Sequence, residues 1–136
     1  MDHGLNFTMK IIIKSRNDIV ANLTLENRAL EDYYIRQSSI LLDRFGFNPF
    51  FFRGPSKIEC YDEMIISKKY PYFKLDKSSS ITNLFSLSDN CNFKDAKEGV
   101  YKVEFYSSVM PYIDENLNNY YENQKLYAVD NFFLPG

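Results

Sequence analysis

Hydrophobic and polar side chains alternate along several short stretches of the chain. The alternation is clearest over residues 100–106 and predicts a strand with one face in water. A β-branched run at residues 9–14 predicts a second strand. Residues 58–66 and 70–75 predict two more strands, and residues 126–134 predict a strand or an extended tail. We therefore expect a mostly antiparallel or mixed sheet.

The period changes between residues 25 and 45, where apolar side chains recur at the three- and four-residue spacing of a helix. Thr24 can cap the start of such a helix, and Gly46 supplies a residue that tolerates the left-handed conformation at its end. This segment predicts one long buried helix. The residues on its apolar face are Leu30, Tyr33, Tyr34, Gln37, Ile40, Leu41 and Phe45.

A second amphipathic helix is predicted over residues 108–121. Ser107 or Ser108 can cap it, and Pro111 falls in the first turn, where a missing N–H costs little. Its apolar face would consist of Val109, Met110, Ile113, Leu117, Tyr120 and Tyr121.

Together these elements predict an α+β fold. Residues 9–136 are expected to form a single domain, residues 1–8 a flexible N-terminal tail, and residues 78–97 a long loop. A length of 136 residues is enough to bury one core, and 45% hydrophobic content is typical of a globular chain.

The composition argues against most enzyme classes. The chain contains 1 histidine, which is His3, and 5 glycines. Imidazole bases, histidine-ligated metals and glycine-rich phosphate loops are therefore not expected. A net charge of −2 does not favour nucleic acid, which attracts basic surfaces. The sequence predicts no cofactor, no metal site and no nucleic-acid partner.

The cysteines and the hydropathy predict a cytoplasmic protein. Cys60 and Cys91 are expected to be free thiols, because no targeting segment implies an oxidising compartment. No apolar run approaches the roughly 20 residues that span a bilayer, so a membrane location is not expected.

Two features stand out as candidate binding residues. The aromatic residues Phe50, Phe51, Phe52, Tyr70 and Tyr72 form two clusters, and rings of this kind are enriched at the centres of interfaces. Arg53 and Lys57 flank a Gly-Pro turn and could bind a phosphate or a carboxylate.

The sequence therefore predicts a non-enzymatic intracellular protein-interaction module of the inhibitor or immunity type, such as a phage, virus or mobile element encodes. It predicts a protein partner and leaves a homodimer open. One alternative is a domain that sequesters or senses a nucleotide-like anion through Arg53 and Lys57. A second is a histidine-free enzyme such as a nuclease.

Overall fold

A computed structural model describes residues 4–36, 49–60 and 72–136 of the chain. Within them, 60% of residues lie in strands and 4% in helix. The bounds are β1 Leu5–Ser15, β2 Asp18–Asn27, β3 Tyr33–Arg36, β4 Phe50–Arg53, β5 Tyr72–Leu75, β6 Ser80–Ser86, α1 Leu87–Asn90, β7 Gly99–Val109 and β8 Gln124–Leu134.

The strands pair antiparallel in three sheets. Their orders are β1-β2-β6, β3-β5 and β4-β7-β8. The two three-stranded sheets pack face to face, because Phe7 of β1 lies 4.9 Å from Phe105 of β7 and Phe50 of β4 lies 5.4 Å from Phe85 of β6, measured between ring centroids. The architecture is a β-sandwich.

The core comes from alternate residues of each long strand. In β2 the buried side chains are Ile19, Ala21, Leu23 and Leu25, and in β7 Tyr101, Val103 and Phe105 are fully buried. Because a strand points successive side chains to opposite faces, the residues between these face outward.

The predicted α+β fold is wrong, and so is the helix over residues 25–45. Residues up to Asn27 belong to β2, and Tyr33 begins β3. Leu30, placed on the buried helical face by its spacing, is 95% exposed. Tyr33 and Ile35 are buried in alternation with Tyr34 and Arg36, which is the period of a strand. Residues 37–45 of the predicted helix lie outside the described residues.

The side chain of Asn27 explains why β2 ends where it does. It is fully buried, its Oδ1 accepts from Ala29 N at 2.9 Å, and its Nδ2 donates to the carbonyls of Glu31 and Leu75 at 3.0 and 2.9 Å. These bonds hold the chain in a turn, so an asparagine that the sequence pattern places in the first turn of a helix instead stabilises the end of a strand.

The predicted helix over residues 108–121 is also wrong. Ser108 and Val109 still belong to β7. Asp114 Oδ1 accepts from Asn118 N at 2.8 Å, and Leu117 has a φ of 57°, in the left-handed region. A side chain that binds nearby N–H groups competes with a helix, and the left-handed residue breaks its path.

Other predicted elements agree better with the structure. The strands predicted at residues 9–14 and 100–106 are confirmed and extend further, as β1 and β7. Strand β1 begins at Leu5, within the segment predicted as a tail. Strand β6 and the single turn of α1 occupy part of the predicted long loop.

The turn between β1 and β2 ties distant parts of the chain together through Arg16. Its guanidinium donates to the carbonyls of Phe93 at 2.7 Å, Ala96 at 2.6 Å and Pro135 at 2.8 Å. These charge-assisted bonds hold the segment before β7 and the residues after β8 against the β1-β2 hairpin.

Candidate functional site

The outward face of the β4-β7-β8 sheet carries large apolar side chains. Their exposed fractions range from 43% for Val129 to 63% for Val100. We call this surface the aromatic face. Its apolar members are Phe51, Val100, Tyr106, Tyr127, Val129 and Phe133.

The register of the strands brings three of these rings together. Phe51 of β4 lies opposite Glu104 of β7, and Tyr106 lies opposite Tyr127 of β8. Ring centroids are 5.5 Å apart for Phe51 and Tyr106 and 4.9 Å apart for Tyr106 and Tyr127. The three rings form a continuous row across the sheet, which we call the aromatic row.

Glu104 lies beneath this row and holds its tyrosines. The residue is only 7% exposed, and its Oε2 accepts from the hydroxyls of Tyr106 at 2.7 Å and Tyr127 at 2.9 Å. Arg53 Nε lies 3.7 Å from the other carboxylate oxygen. Glu104 therefore has hydrogen-bond donors although it is buried. A buried carboxylate needs such partners, because burial removes it from water.

These bonds shift the ionisation of both kinds of group. The hydroxyls of Tyr106 and Tyr127, followed by the nearby cations, hold the pKa of Glu104 below its usual value. The bond to the Glu104 carboxylate, together with desolvation, raises the pKa of Tyr106 to about 12. At neutral pH the carboxylate is therefore charged and Tyr106 is protonated, which is the state that the hydrogen bond between them requires.

A groove of about 660 Å³ adjoins the aromatic row. Strand β4 forms one wall, Lys57–Cys60 form another, and Glu104 and Tyr106 also line it. Its volume lies in the range of sites that take small molecules.

A disulfide holds the second wall of the groove. Cys60 and Cys91 are bonded, and Asn92 N donates to Glu59 O at 2.7 Å beside them. The prediction of two free thiols is therefore wrong. The two cysteines are 31 residues apart in sequence, and only the folding of the α1 region against the segment after β4 brings them together.

The structure separates the three phenylalanines predicted as a binding cluster. Phe50 is 2% exposed and packs in the core against Phe85 and Phe105. Phe52 is half-buried against Phe93 and Phe132. Phe51 alone of the three is exposed, in the aromatic row.

The remaining predicted residues divide between the groove and a separate tyrosine cluster. Arg53 and Lys57 both line the groove, and Lys57 Nζ lies 2.9 Å from Glu59 Oε1. Tyr72 packs edge-on against Tyr112, with ring centroids 5.6 Å apart. Tyr70 lies outside the described residues.

Sequence reasoning missed most of the aromatic face. The pattern over residues 100–106 predicts a strand with one wet face, but it does not single out the outward Glu104 and Tyr106 as candidates. The two-residue spacing of Tyr127, Val129 and Phe133 could have shown that they share one face, although the polar residues 130 and 131 interrupt the apolar pattern of β8. Their alignment with Phe51 depends on strand register, which no local pattern encodes.

Two kinds of structural feature are absent from the described residues. Among residues 4–36, 49–60 and 72–136, no group of three or more histidine, cysteine, aspartate or glutamate side chains could hold a metal ion. The same residues contain no helix long and apolar enough to cross a membrane. The arrangement at Glu104 is suited to holding rings in place, since its oxygens already face two hydroxyls and a guanidinium.

No protein-family model matches the chain, and no curated protein matches it.

Proposed function

We propose that this protein is a non-enzymatic binding module of the inhibitor or immunity type, which docks a partner protein on the aromatic face. The observation that carries the proposal is the set of six large apolar side chains on one outward sheet face. Four of them, Phe51, Tyr106, Tyr127 and Val129, lie in neighbouring positions, and exposed apolar surface of this kind on a folded domain is typical of an interaction site.

The arrangement of the rings favours a protein partner over a flat ligand. The planes of Phe51 and Tyr106 meet at 72°, and those of Tyr106 and Tyr127 at 51°. Rings so inclined present ridges and clefts instead of a level platform for stacking. Such a surface suits the interdigitation of side chains at the centre of a protein interface.

Fixed rings also lower the cost of binding. The carboxylate of Glu104 holds the hydroxyls of Tyr106 and Tyr127, so little side-chain freedom remains to be lost when a partner docks. Each rotamer-rich side chain that is immobilised on association costs about 0.5–1.5 kcal/mol. Preorganised tyrosines therefore support the proposal that this face is a binding surface.

The anion-binding alternative is less well supported. It requires Arg53 and Lys57 to act together, yet Lys57 Nζ is already paired with Glu59 Oε1 at 2.9 Å. The nuclease alternative has no additional support from the groove. The proposed function needs neither a cofactor nor nucleic acid, and it leaves a second copy of the chain as one possible partner.

The location of the protein is open to a direct test. The cytoplasmic location predicted from the sequence stays a prediction, whereas the disulfide between Cys60 and Cys91 favours an oxidising compartment. Titration of thiols in denaturant, on protein purified from its native source under trapping conditions, distinguishes the two. Absence of free thiol supports the oxidising compartment, and two thiols per chain support the cytoplasm.

The proposed function is tested by affinity capture with matched variants. The chain with Tyr127→Ser and Val129→Ser is compared with wild type and with a control carrying Ile12→Ser and Leu84→Ser. The control residues are exposed on the outward face of the other sheet. We expect wild type and control to retain the same stoichiometric protein partner from a lysate of the source cells.

The aromatic-face variant is expected to bind that partner at least about 100-fold more weakly, since loss of central interface residues costs about 2 kcal/mol or more each. Size-exclusion chromatography of all three chains shows whether the partner is a second copy. Equal retention of the partner by the aromatic-face variant, with its fold intact by circular dichroism, would remove the proposal.

A further inference from the structure

Two cations face each other on the aromatic face. Arg53 of β4 and Lys102 of β7 are directly opposite in the register and both are exposed. Side chains opposite each other on one face of an antiparallel pair lie close together, and like charges there destabilise the sheet. Two positive charges therefore lie side by side at this position of the sheet.

Glu104 does not neutralise both cations. Its Oε2 already accepts two tyrosine hydroxyls, and its closest approach to Arg53 is 3.7 Å. Within the described residues Lys102 makes no ion pair. Two cations therefore share one carboxylate, whose Oε2 already accepts two hydroxyls.

Apolar side chains lie on two sides of this pair of cations. Along the outward face of β7, Val100 precedes Lys102 and Glu104 follows it. Phe51 of β4 lies opposite Glu104. Arg53 also lines the groove together with Phe51, Phe52 and Ile58. A ligand that reached the cations would contact apolar side chains on both sides of its charged group.

We propose that the partner presents an Asp or Glu side chain between Arg53 and Lys102, with apolar neighbours that occupy the groove and cover the aromatic row. This inference rests on the proposed function and specifies the chemistry of the partner. An acidic residue within a chain fits better than a terminal carboxylate, because apolar contacts are available on both of its sides. A guanidinium offers paired donors that match a carboxylate, and an ammonium adds a second charge.

Capped tripeptides test the inference while the partner itself is unidentified. The probes are acetyl-Phe-Asp-Phe-amide, its Asn counterpart and its Lys counterpart, each titrated into the nitrogen-labelled full chain and followed by NMR. The caps remove the terminal charges. We expect the Asp peptide to shift the backbone amides of Arg53 and Lys102 and to bind about tenfold more tightly than the Asn peptide, and the Lys peptide to bind more weakly still.

Variants locate the interaction. Arg53→Gln and Lys102→Gln are each expected to abolish the preference for Asp over Asn. Lys125→Gln is the matched control, because Lys125 lies on the same face opposite Ser108, away from the cation pair. Equal binding of the Asp and Asn peptides, or a preference that survives Arg53→Gln, would overturn the inference.

The outcomes separate this inference from the proposed function. If a captured partner depends on Tyr127 and Val129 but the peptides show no preference for Asp, the docking face stands and the acidic anchor is wrong. The opposite result is also informative. If the Asp peptide binds at Arg53 and Lys102 but the Tyr127→Ser and Val129→Ser variant captures the partner as well as wild type does, the anion site stands and the docking face is wrong.

Discussion

The outward faces of the two large sheets differ in composition although their strands follow the same alternation. On the β1-β2-β6 sheet, Thr8, Thr24 and Thr82 lie side by side across the three strands, and the hydroxyls of the last two are 3.1 Å apart. We call this surface the polar face. On the β4-β7-β8 sheet the corresponding central row is Phe51, Glu104 and Val129.

The two faces also differ in how far their buried polar groups are hydrogen-bonded. On the aromatic face Glu104 accepts two hydroxyls. On the polar face, Asn22 lies between Lys10 and Leu84, and its buried Oδ1 has no hydrogen-bond partner within the described residues. The better satisfied polar group thus lies under the exposed rings of the aromatic face.

The largest effect is expected from a ring that points inward from the same sheet. Phe105 is fully buried against Phe7 and Phe50, so Phe105→Ala should lower the free energy of unfolding by about 3–5 kcal/mol. Phe133 is 54% exposed, and Phe133→Ala should change the free energy of unfolding by no more than about 0.5 kcal/mol. Urea unfolding of both variants measures the difference.

Comparable destabilisation by the two substitutions would mean that the outward rings are needed for folding, and the aromatic face would lose its interpretation as a binding surface. The affinity-capture assay provides the complementary measurement. Phe133→Ala should weaken binding of the partner protein without lowering the stability of the fold.

A smaller effect, of opposite sign, is expected on the polar face. Asn22→Val removes a buried carbonyl oxygen that lacks a partner among the described residues and places a β-branched residue in a central strand. We expect the free energy of unfolding to rise by about 1 kcal/mol, the lower end of the cost of an unsatisfied buried group. Thermal or urea unfolding tests this, with Thr24→Val as a control in the same strand.

A stabilisation of the same size in Thr24→Val would assign the gain to strand propensity. A loss of stability in Asn22→Val would show that the amide makes a favourable interaction, and the contrast between the two faces would then disappear.

The smallest effect is expected in the pH dependence of stability. Hydrogen bonds from Tyr106 and Tyr127 lower the pKa of Glu104 in the folded state below its ordinary value of 4.5. A group with a lowered folded pKa stabilises the fold above its unfolded pKa, and this contribution is lost as pH falls through the folded value. Below about pH 4.5, wild type should therefore lose stability more steeply than Glu104→Gln.

Urea unfolding of both chains at a series of acidic pH values measures this difference. Tyr106→Phe serves as the control, because it removes the first of the two hydroxyl bonds and should reduce the steepness without abolishing it. Parallel pH profiles for wild type and Glu104→Gln would show that the carboxylate is not held by the tyrosines.

Sequence pattern alone determined those elements whose signal is local. The alternation in residues 100–106 predicted β7, and the β-branched run predicted β1. Residue type also placed Arg53 and Phe51 among the candidate binding residues. These predictions depend on side-chain period and residue type, which are properties of a short segment.

Long-range pairing decided what local pattern could not. The spacing at residues 25–36 fits a helix as well as two strands, and antiparallel partners together with the buried turn at Asn27 select the strands. The disulfide and the aromatic face likewise combine residues from separate parts of the chain. Register sets which side chains share a surface, and because it is fixed by contacts between distant strands, only the tertiary structure brings Phe51, Glu104 and Tyr127 together.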